Sequence, residues 1–471
     1  MRIPRSALPV ATICCLGAAC GPDSPAAGRI ERNTARPDIV LVSIDSLRPD
    51  HLGCYGYPKP TSPTLDRLAS EGVRCEVAVS TTSWTLPAHA AMLTGLFDSA
   101  HGVVDNGLRL PAARVTLAEA LAHSGWKTAG FFGGPYLDPA FGFGQGFERY
   151  QSCMSPRVES SHEDVTGPRT VEAVERWLDE TVEPGAAEPF FLFLHLWDVH
   201  YDYRPPAEYA EDFDPGYDGT LDASDLPHNA SIAPDMSPRD LRHLLALYDG
   251  EIRFTDENLG RILDAIDRKG RLRDAIVIVT ADHGEEFFEH GGKGHQKTLF
   301  DEVVRVPCIV RWPGHLPRGA VVRDPVRIVD LAPTILSLAE ASDRPPMQGR
   351  DVSPLLRGES MAPAPALMEL LVDRNDIRGL RTDREKLISW RHAGKSFLYD
   401  LVRDPRELEP IPEPSPRLES SLAELRQLLE RSADLGRPAA ERLEVAPDLV
   451  RRLGVLGYAG DETPAGAARD K

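Results

Sequence analysis

Three short stretches of the chain hold residues whose types could do chemistry together. Asp45 closes the run IVLVSID, Asp282 and His283 close IVIVTADH, and Thr85 stands at the head of TLPAHAAMLTG. Two carboxylates, an imidazole and a hydroxyl make a donor set suited to a divalent cation. A threonine hydroxyl is a weak nucleophile at neutral pH. Coordination to a cation lowers its pKa, and a helix N-terminus favours the anion that forms. The residues after Thr85 support a helix start: Pro87 is tolerated in a first turn, and Ala88, Ala90, Ala91, Met92 and Leu93 are good helix formers. Taken alone, Thr85 reads equally as an ordinary N-cap, and Asp45 and Asp282 as caps of whatever follows them. Whether they meet depends on the elements that carry them.

Those elements alternate. The run DIVLVSID is apolar and rich in β-branched residues, the pattern of a buried strand in a parallel sheet, and KTAGFF (127–132), PFFLFLHL (189–196) and AIVIVTADHG (275–284) repeat it. Helical spacing of apolar residues appears in SPTLDRLASEG, in TLAEALAHSG (116–125) and in ENLGRILDAIDRKG (257–270). Strands alternating with helices predict an α/β fold with a mostly parallel sheet flanked by helices. The carboxyl ends of parallel strands open onto one edge, where ligands bind, so Asp45 and Asp282 are expected to meet there. Residues 201–239, rich in Pro, Asp and Tyr, are expected to form a long surface loop near that edge. VRIVDLAPTILSLAEA (326–341) reads as the closing helix of the main domain. From about Leu355 the pattern becomes two strand segments, RGLRTDREKLISW and KSFLYDLVRDP, then a helix with Leu418, Leu422, Leu425 and Leu429 on one face. A main domain at 37–354, a smaller α+β domain at 355–460 and a frayed tail at 461–471 follow from this reading.

Composition narrows the partners. With 72 acidic against 53 basic side chains the chain carries a formal charge of -19, which repels a phosphate backbone and excludes nucleic acid as the expected partner. An anionic substrate then needs a local positive site, most simply a metal ion. The N-terminus has Arg2 and Arg5, an apolar run over 7–19 too short to span a bilayer, and small residues before Cys20, the order of a signal peptide. Gly17, Ala18, Ala19 and Cys20 resemble a bacterial lipoprotein cleavage box. Residues 1–19 are therefore expected to be removed, with Cys20 lipid-anchored in the periplasm or on the outer surface, plain secretion being the alternative. Residues 20–36 read as a tether, the only expected contact with membrane being the anchor. Cys54, Cys75, Cys153 and Cys308 lack metal-like spacing, and the sequence leaves open whether any of them pair.

From Asp38 to about Glu407 the chain resembles the sulfatase family of the alkaline phosphatase superfamily. The residues that carry the resemblance stand in family order: DIVLVSIDSLRPDHLGCYGY, SPTLDRLASEGV, WTLPAHAAMLTG, PFFLFLHLWDVH, YDGEIRFTDENLGRIL, VTADHGEEF, LFDEVVRVPCIVRWPG, VDLAPTILSL and LYDLVRDPRE. The resemblance implies a large α/β domain with a metal at the strand ends and a smaller C-terminal domain. Carried over residue by residue, it implies Asp45, Asp282 and His283 as metal ligands and Thr85 at the nucleophile, itself a ligand. It implies that His200 and His295 contact the substrate anion or its leaving group, with Lys297 a further candidate for the anion.

Departures from the family pattern bear on the chemistry. Where true sulfatases carry a Cys-x-Pro-x-Arg element, or Ser for the Cys, that is oxidised to formylglycine, this chain reads Thr85-Leu86-Pro87-Ala88-His89. A threonine, with a methyl on Cβ, cannot give that aldehyde, so no formylglycine is expected. Ser46 stands where many relatives have a second Asp. A Thr nucleophile resembles instead the phosphate-handling relatives, since phosphoryl transfer needs positioning and charge neutralisation more than special covalent chemistry. The expected activity is metal-dependent hydrolysis of phosphate or phosphonate esters. Sulfate-ester hydrolysis without formylglycine, head-group transfer and non-catalytic binding of an anionic glycan are the alternatives. The expected substrate is an anionic small-molecule, lipid or glycan ester, and the expected cofactor one divalent ion, Ca²⁺, Mn²⁺, Mg²⁺ or Zn²⁺. His89 is a candidate catalytic base for Thr85 or a residue that holds its neighbours. His195 and His290 read as structural, Arg48 as a partner of Asp50 or of a metal-binding carboxylate, with substrate contact the alternative, and Glu285 and Glu286 as loop or helix-start residues.

Overall fold

Strand β1, Ile39–Ile44, is buried along its whole length at the centre of an eight-stranded sheet. The computed structural model describes residues 36–157, 164–183, 188–372, 375–433, 436, 441–443, 449 and 453. The other strands of this sheet are β2 (Val73–Cys75), β3 (Lys127–Phe132), β4 (Arg149–Ser152), β5 (Phe190–Leu196), β6 (Ile276–Thr280), β7 (Cys308–Arg311) and β8 (Ala320–Val322). Their order is β8-β2-β7-β6-β1-β5-β3-β4. β1 is flanked on both sides by parallel partners, β5 and β6, and β3 and β4 extend the parallel block. Only β7 runs antiparallel to its two neighbours. The runs IVLVSI, FFLFLHL and IVIVT are continuous in apolar character because these central strands are covered on both faces.

Seven helices matter for the site and its support: α1 (Pro63–Glu71), α2 (Thr85–Thr94), α3 (Leu117–His123), α4 (Gly167–Thr181), α5 (Pro238–Arg268), α6 (Leu331–Leu338) and α7 (Pro416–Ala433). A capping box at Thr116 and Glu119 starts α3. Gly95, at φ 65°, ends α2 in the left-handed conformation that glycine adopts without steric cost.

The structure departs from the sequence reading at four places. The helix expected at 257–270 is the second half of α5, a single helix of 31 residues that starts at Pro238 with Ser237 as its cap, so Leu244, Leu247, Tyr248 and Ile252 continue the buried face of Leu259, Ile262, Leu263 and Ile266. Residues 201–239 are interrupted by a short helix at Ala207–Phe213. The segment 326–341 begins as a strand pair, Val326–Arg327, and a 3-10 turn before α6. The C-terminal region is a four-stranded antiparallel sheet of β9 (Ala366–Leu370), β10 (Ile377–Arg381), β11 (Glu385–Trp390) and β12 (Lys395–Asp400), with α7 beside it. β9 escaped the sequence reading. It is buried at every position and so shows no alternation.

The C-terminal sheet is tied into the main body. Arg381 and Lys386 both pair with Asp301, at 2.9 and 2.8 Å, and Glu369 N donates to Thr81 O at 2.7 Å. Ala35–Lys471 forms one compact unit, and the boundary expected at 354/355 falls inside it. The leader, Cys20 and the tether up to residue 35 lie outside the described residues, as does the 461–471 tail. Among the described residues no helix is long and apolar enough to cross a membrane. Cys54, Cys75, Cys153 and Cys308 are free thiols.

Candidate active site

The register of the central strands brings the site together. Ser43 of β1 lies opposite His195 of β5 and Thr280 of β6, and the Asp45 amide extends the ladder to Leu196 O at 2.9 Å. Because side chains alternate along a strand, Asp45 shares a face with Ser43, and so with His195. Asp282 leaves β6 two residues past its end and reaches the same edge. Both carboxylates and both imidazoles, His195 and His283, are fully buried.

Thr85 is the first residue of α2, with Trp84 in the N-cap position and no side-chain cap bond, so the ordinary capping role is not the one its hydroxyl plays. Its Oγ1 lies 3.4 Å from Asp45 Oδ2 and 3.3 Å from His283 Nε2. His283 Nε2 is in turn 3.7 Å from Asp45 Oδ1 and 3.4 Å from Asp282 Oδ2. Two donors each about 2.1 Å from a tetrahedral cation are about 3.4 Å apart. These four side chains therefore stand at the spacing of ligands that share one ion.

Protonation supports the fit. His283 Nδ1 lies 2.8 Å from Gly284 O, a pure acceptor, so the ring proton sits there and the Nε2 lone pair faces Thr85 and the carboxylates. Asp282 Oδ2 has no hydrogen-bond partner, while Oδ1 accepts from Ser46 N at 3.2 Å and His283 N at 2.9 Å. A buried carboxylate oxygen without a donor is costly, and a cation removes that cost. Burial pushes the Asp45 carboxyl up to about 6 against the pull of His283. Burial also opposes the charged form of His283, yet Asp282 and Asp45 outweigh it and hold that imidazole above its ordinary pKa. Each of these shifts records a site short of positive charge.

Ser46 knits the two carboxylates together. It adopts a left-handed conformation at φ 55°, its hydroxyl donates to Asp45 Oδ1 at 2.8 Å, and its amide reaches Asp282. Tyr248 secures this turn by donating to Ser46 O at 2.7 Å while accepting from Arg48 N at 2.9 Å.

The remaining expected residues divide. The His295 ring lies 4.3 Å from that of His283, tilted by 40°, and His200 lies 5.1 Å from His295, so both imidazoles stand beside the candidate metal centre. His200 is held by Tyr201 O at 2.6 Å and by stacking on Trp197 at 4.0 Å. Lys297 is exposed, and its ammonium donates to Lys293 O at 2.8 Å, a rim position. His89 does not reach the Thr85 hydroxyl. Its Nδ1 donates to Thr85 O at 2.8 Å one turn back, its Nε2 meets Ser43 Oγ at 3.0 Å, and burial lowers its pKa to about 3. Geometry therefore gives it a holding contact and none to the hydroxyl a base would deprotonate. Arg48 pairs with Asp50 and Glu289, at 2.8 and 2.6 Å, not with a metal-binding carboxylate, and His290 pairs with Glu302 at 2.6 Å.

Two residues have contacts near the candidate centre that the sequence reading did not anticipate. Glu285, taken as a loop residue, is fully buried, accepts from Tyr203 OH at 2.7 Å and holds His295 Nδ1 at 3.0 Å. Burial pushes its carboxyl up to about 7. Its place directly after Asp282-His283-Gly284 was the one available signal. His195, taken as structural, puts Nε2 3.3 Å from Asp45 Oδ2. The strand register that brings it there is invisible in a single run of apolar residues.

Beyond the His200 ring lies a cavity of about 370 Å³ lined by Trp197, Asp198, Asp202, Arg204 and Glu251.

Known proteins resemble this chain over most of its length. Residues 37–341 match the family model described as Sulfatase, and residues 289–434 match N-sulphoglucosamine sulphohydrolase, C-terminal. The chain is 26% identical to an ulvan-active sulfatase of Formosa agariphila over 401 residues, covering 79% of this chain and 76% of the relative. It is 28% identical to arylsulfatase A of Homo sapiens over 445 residues, covering 79% and 82%. Among solved structures, the phosphonate monoester hydrolase of Agrobacterium radiobacter superposes with a TM-score of 0.69 at 22% identity, covering 85% of this chain and 96% of that one. A second, solved with its substrate D-glucosamine-2-N,6-O-disulfate, superposes with a TM-score of 0.67 at 21% identity, covering 85% and 98%. At these identities the two structures share the fold with this chain.

Proposed function

The chain belongs to the sulfatase family of the alkaline phosphatase superfamily and is an ester hydrolase, and from that premise we propose that it cleaves phosphate or phosphonate esters through Thr85 as nucleophile. The observation that carries this reading is the position of Thr85 Oγ1, at the first turn of α2 and within 3.4 Å of both Asp45 Oδ2 and His283 Nε2. Asp45, Asp282, His283 and Thr85 would hold one divalent cation. When bound, that ion would favour the alkoxide of Thr85 and offset the charge of the substrate anion.

The chain's own residues account for the remaining steps. Thr85 Oγ1 attacks phosphorus in line, a new oxygen–phosphorus bond forms, and the bond to the leaving alcohol breaks. His200 and His295, whose rings lie 5.1 Å apart beside His283, supply the proton that the leaving oxygen takes. Glu285 fixes the His295 ring so that its Nε2 is the nitrogen available. Water then attacks the phosphothreonine, giving a proton to the imidazole that protonated the leaving alcohol, and the phosphorus–Oγ1 bond breaks to regenerate Thr85. Backbone N–H groups at the start of α2 favour the anion at every stage.

A threonine cannot become the aldehyde that sulfatases with Cys or Ser use, which favours phosphorus over sulfur. The relatives named as sulfatases favour the second reading, direct hydrolysis of a sulfate ester by the same hydroxyl. Their names also support a saccharide as the alcohol component. The leader sequence supports export, with anchoring through Cys20.

Purified protein assayed on p-nitrophenyl phosphate, bis-p-nitrophenyl phosphate, a phenylphosphonate ester and p-nitrophenyl sulfate, each with Ca²⁺, Mn²⁺ or Zn²⁺, tests the proposal. Turnover dominated by the phosphorus esters supports it. Sulfate turnover that equals or exceeds theirs overturns the preference for phosphorus, and no dependence on added metal overturns the role of the cation.

A further inference from the structure

The candidate centre leaves two buried polar atoms without partners. Asp282 Oδ2 and His195 Nε2 both lack a hydrogen-bond partner, and both residues are fully buried. His195 Nδ1 lies 2.7 Å from Gly133 O, which can only accept, so the single proton of the neutral ring sits on Nδ1. The Nε2 lone pair then faces a carboxylate group: Asp45 Oδ2 is 3.3 Å away but not aligned for a hydrogen bond. Lone pair against carboxylate is repulsive in a dry interior, where electrostatic terms are largest.

His89 completes the group. Its Nδ1 is 3.7 Å from Asp282 Oδ2, its ring lies 4.8 Å from that of His195, and suitable ligand atoms of His89, His195 and Asp282 all fall within 4.8 Å of one another. The same holds for Asp45, Asp282 and His283 on the Thr85 side. Asp282 belongs to both groups, with an imidazole from each near its unpartnered oxygen. His89 already bonds Thr85 O and Ser43 Oγ, so it is the member that must exchange a contact, whereas His195 and Asp282 have nothing to give up.

We infer that His195, Asp282 and His89 form a second cation site, separate from the one at Thr85 and sharing Asp282 with it. Two imidazoles and one carboxylate select a borderline transition ion such as Zn²⁺ or Co²⁺ over Ca²⁺ or Mg²⁺. The proposal goes beyond the hydrolytic reading, which needs only the ion beside Thr85. A second divalent ion would also give the pocket a surplus positive charge. One alone only balances Asp45 and Asp282.

The test is metal content by elemental analysis of full-length protein loaded with Zn²⁺ or Co²⁺ and freed of excess, for wild type, His195→Gln, His89→Gln and His283→Gln. Two ions in wild type, one in His195→Gln and one in His283→Gln are expected. Anomalous difference maps at the metal edge should show two peaks flanking Asp282 in wild type, which decides the matter even if a variant fails to fold. A single ion lost in His283→Gln and kept in His195→Gln overturns the second site and leaves the proposed function standing. A single ion lost in His195→Gln and kept in His283→Gln overturns the ion beside Thr85 and the two-ion arrangement together. Metal-free protein after loading overturns both sites.

Discussion

Thr85 Oγ1 and His283 Nε2 lie 3.3 Å apart although 198 positions separate them in the chain. The contact joins the first turn of a helix to the end of a central strand, and it puts a hydroxyl and a lone pair on the same point. If Thr85 is the nucleophile, Thr85→Ala lowers kcat by roughly a thousand-fold or more, while Thr85→Ser, which keeps the hydroxyl, retains a large part of it. Steady-state kinetics of both variants, with metal content measured alongside, checks this. Equal activity in Thr85→Ala and wild type would remove Thr85 from the mechanism.

Glu285 accepts from Tyr203 OH and holds His295 Nδ1. Glu285→Gln is expected to lower kcat by roughly ten- to a hundred-fold through loss of ring orientation, with metal content unchanged. Tyr203→Phe, which leaves the carboxylate in place, is expected to give a smaller change in the same direction. If the effect of Glu285→Gln falls on KM alone, the residue serves binding and not the His295 proton.

Asp301 joins the main body to the C-terminal sheet through Arg381 and Lys386, whose side chains are 6% and 0% exposed. Asp301→Ala leaves two buried cations with Glu407, 2.9 Å from Lys386, as the nearest carboxylate, and Arg381 with the Thr382 carbonyl at 3.0 Å. A loss of about 3–5 kcal/mol of stability is expected. Denaturant unfolding of the variant against wild type at neutral pH measures it, and a change within experimental scatter would show that the junction relaxes.

Asp256 of α5 caps α1, accepting from Thr64 N at 2.8 Å and Leu65 N at 2.9 Å, and burial pushes its carboxyl up to about 6. A carboxyl raised above its unfolded value binds its proton more tightly in the folded state. Its contribution is fully present below pH 3.8, the unfolded value, and is lost as pH rises through about 6. Asp256→Asn, which cannot ionise, should therefore gain on wild type in melting temperature between those two pH values and run parallel to it above. A constant offset across that window would show that the carboxyl titrates at its ordinary value.

The residues of the candidate centre were legible in the sequence because each closes or opens a strongly patterned element. Asp45 ends a continuous apolar run, Asp282 and His283 end another, and Thr85 precedes a row of helix formers. Parallel strands that alternate with helices have one way to bring such ends together, so local pattern alone carried the α/β fold and its ligand edge. Pairing across the sheet carries no such local mark. His195 sits inside FFLFLHL as one polar residue in an apolar strand. It becomes a neighbour of Asp45 only through the register Ser43↔His195, set by hydrogen bonds between segments far apart in the chain. The partners of His89 and Glu285 were decided the same way. A carbonyl and a serine occupy one, a tyrosine and an imidazole hold the other, and those partners are chosen by packing.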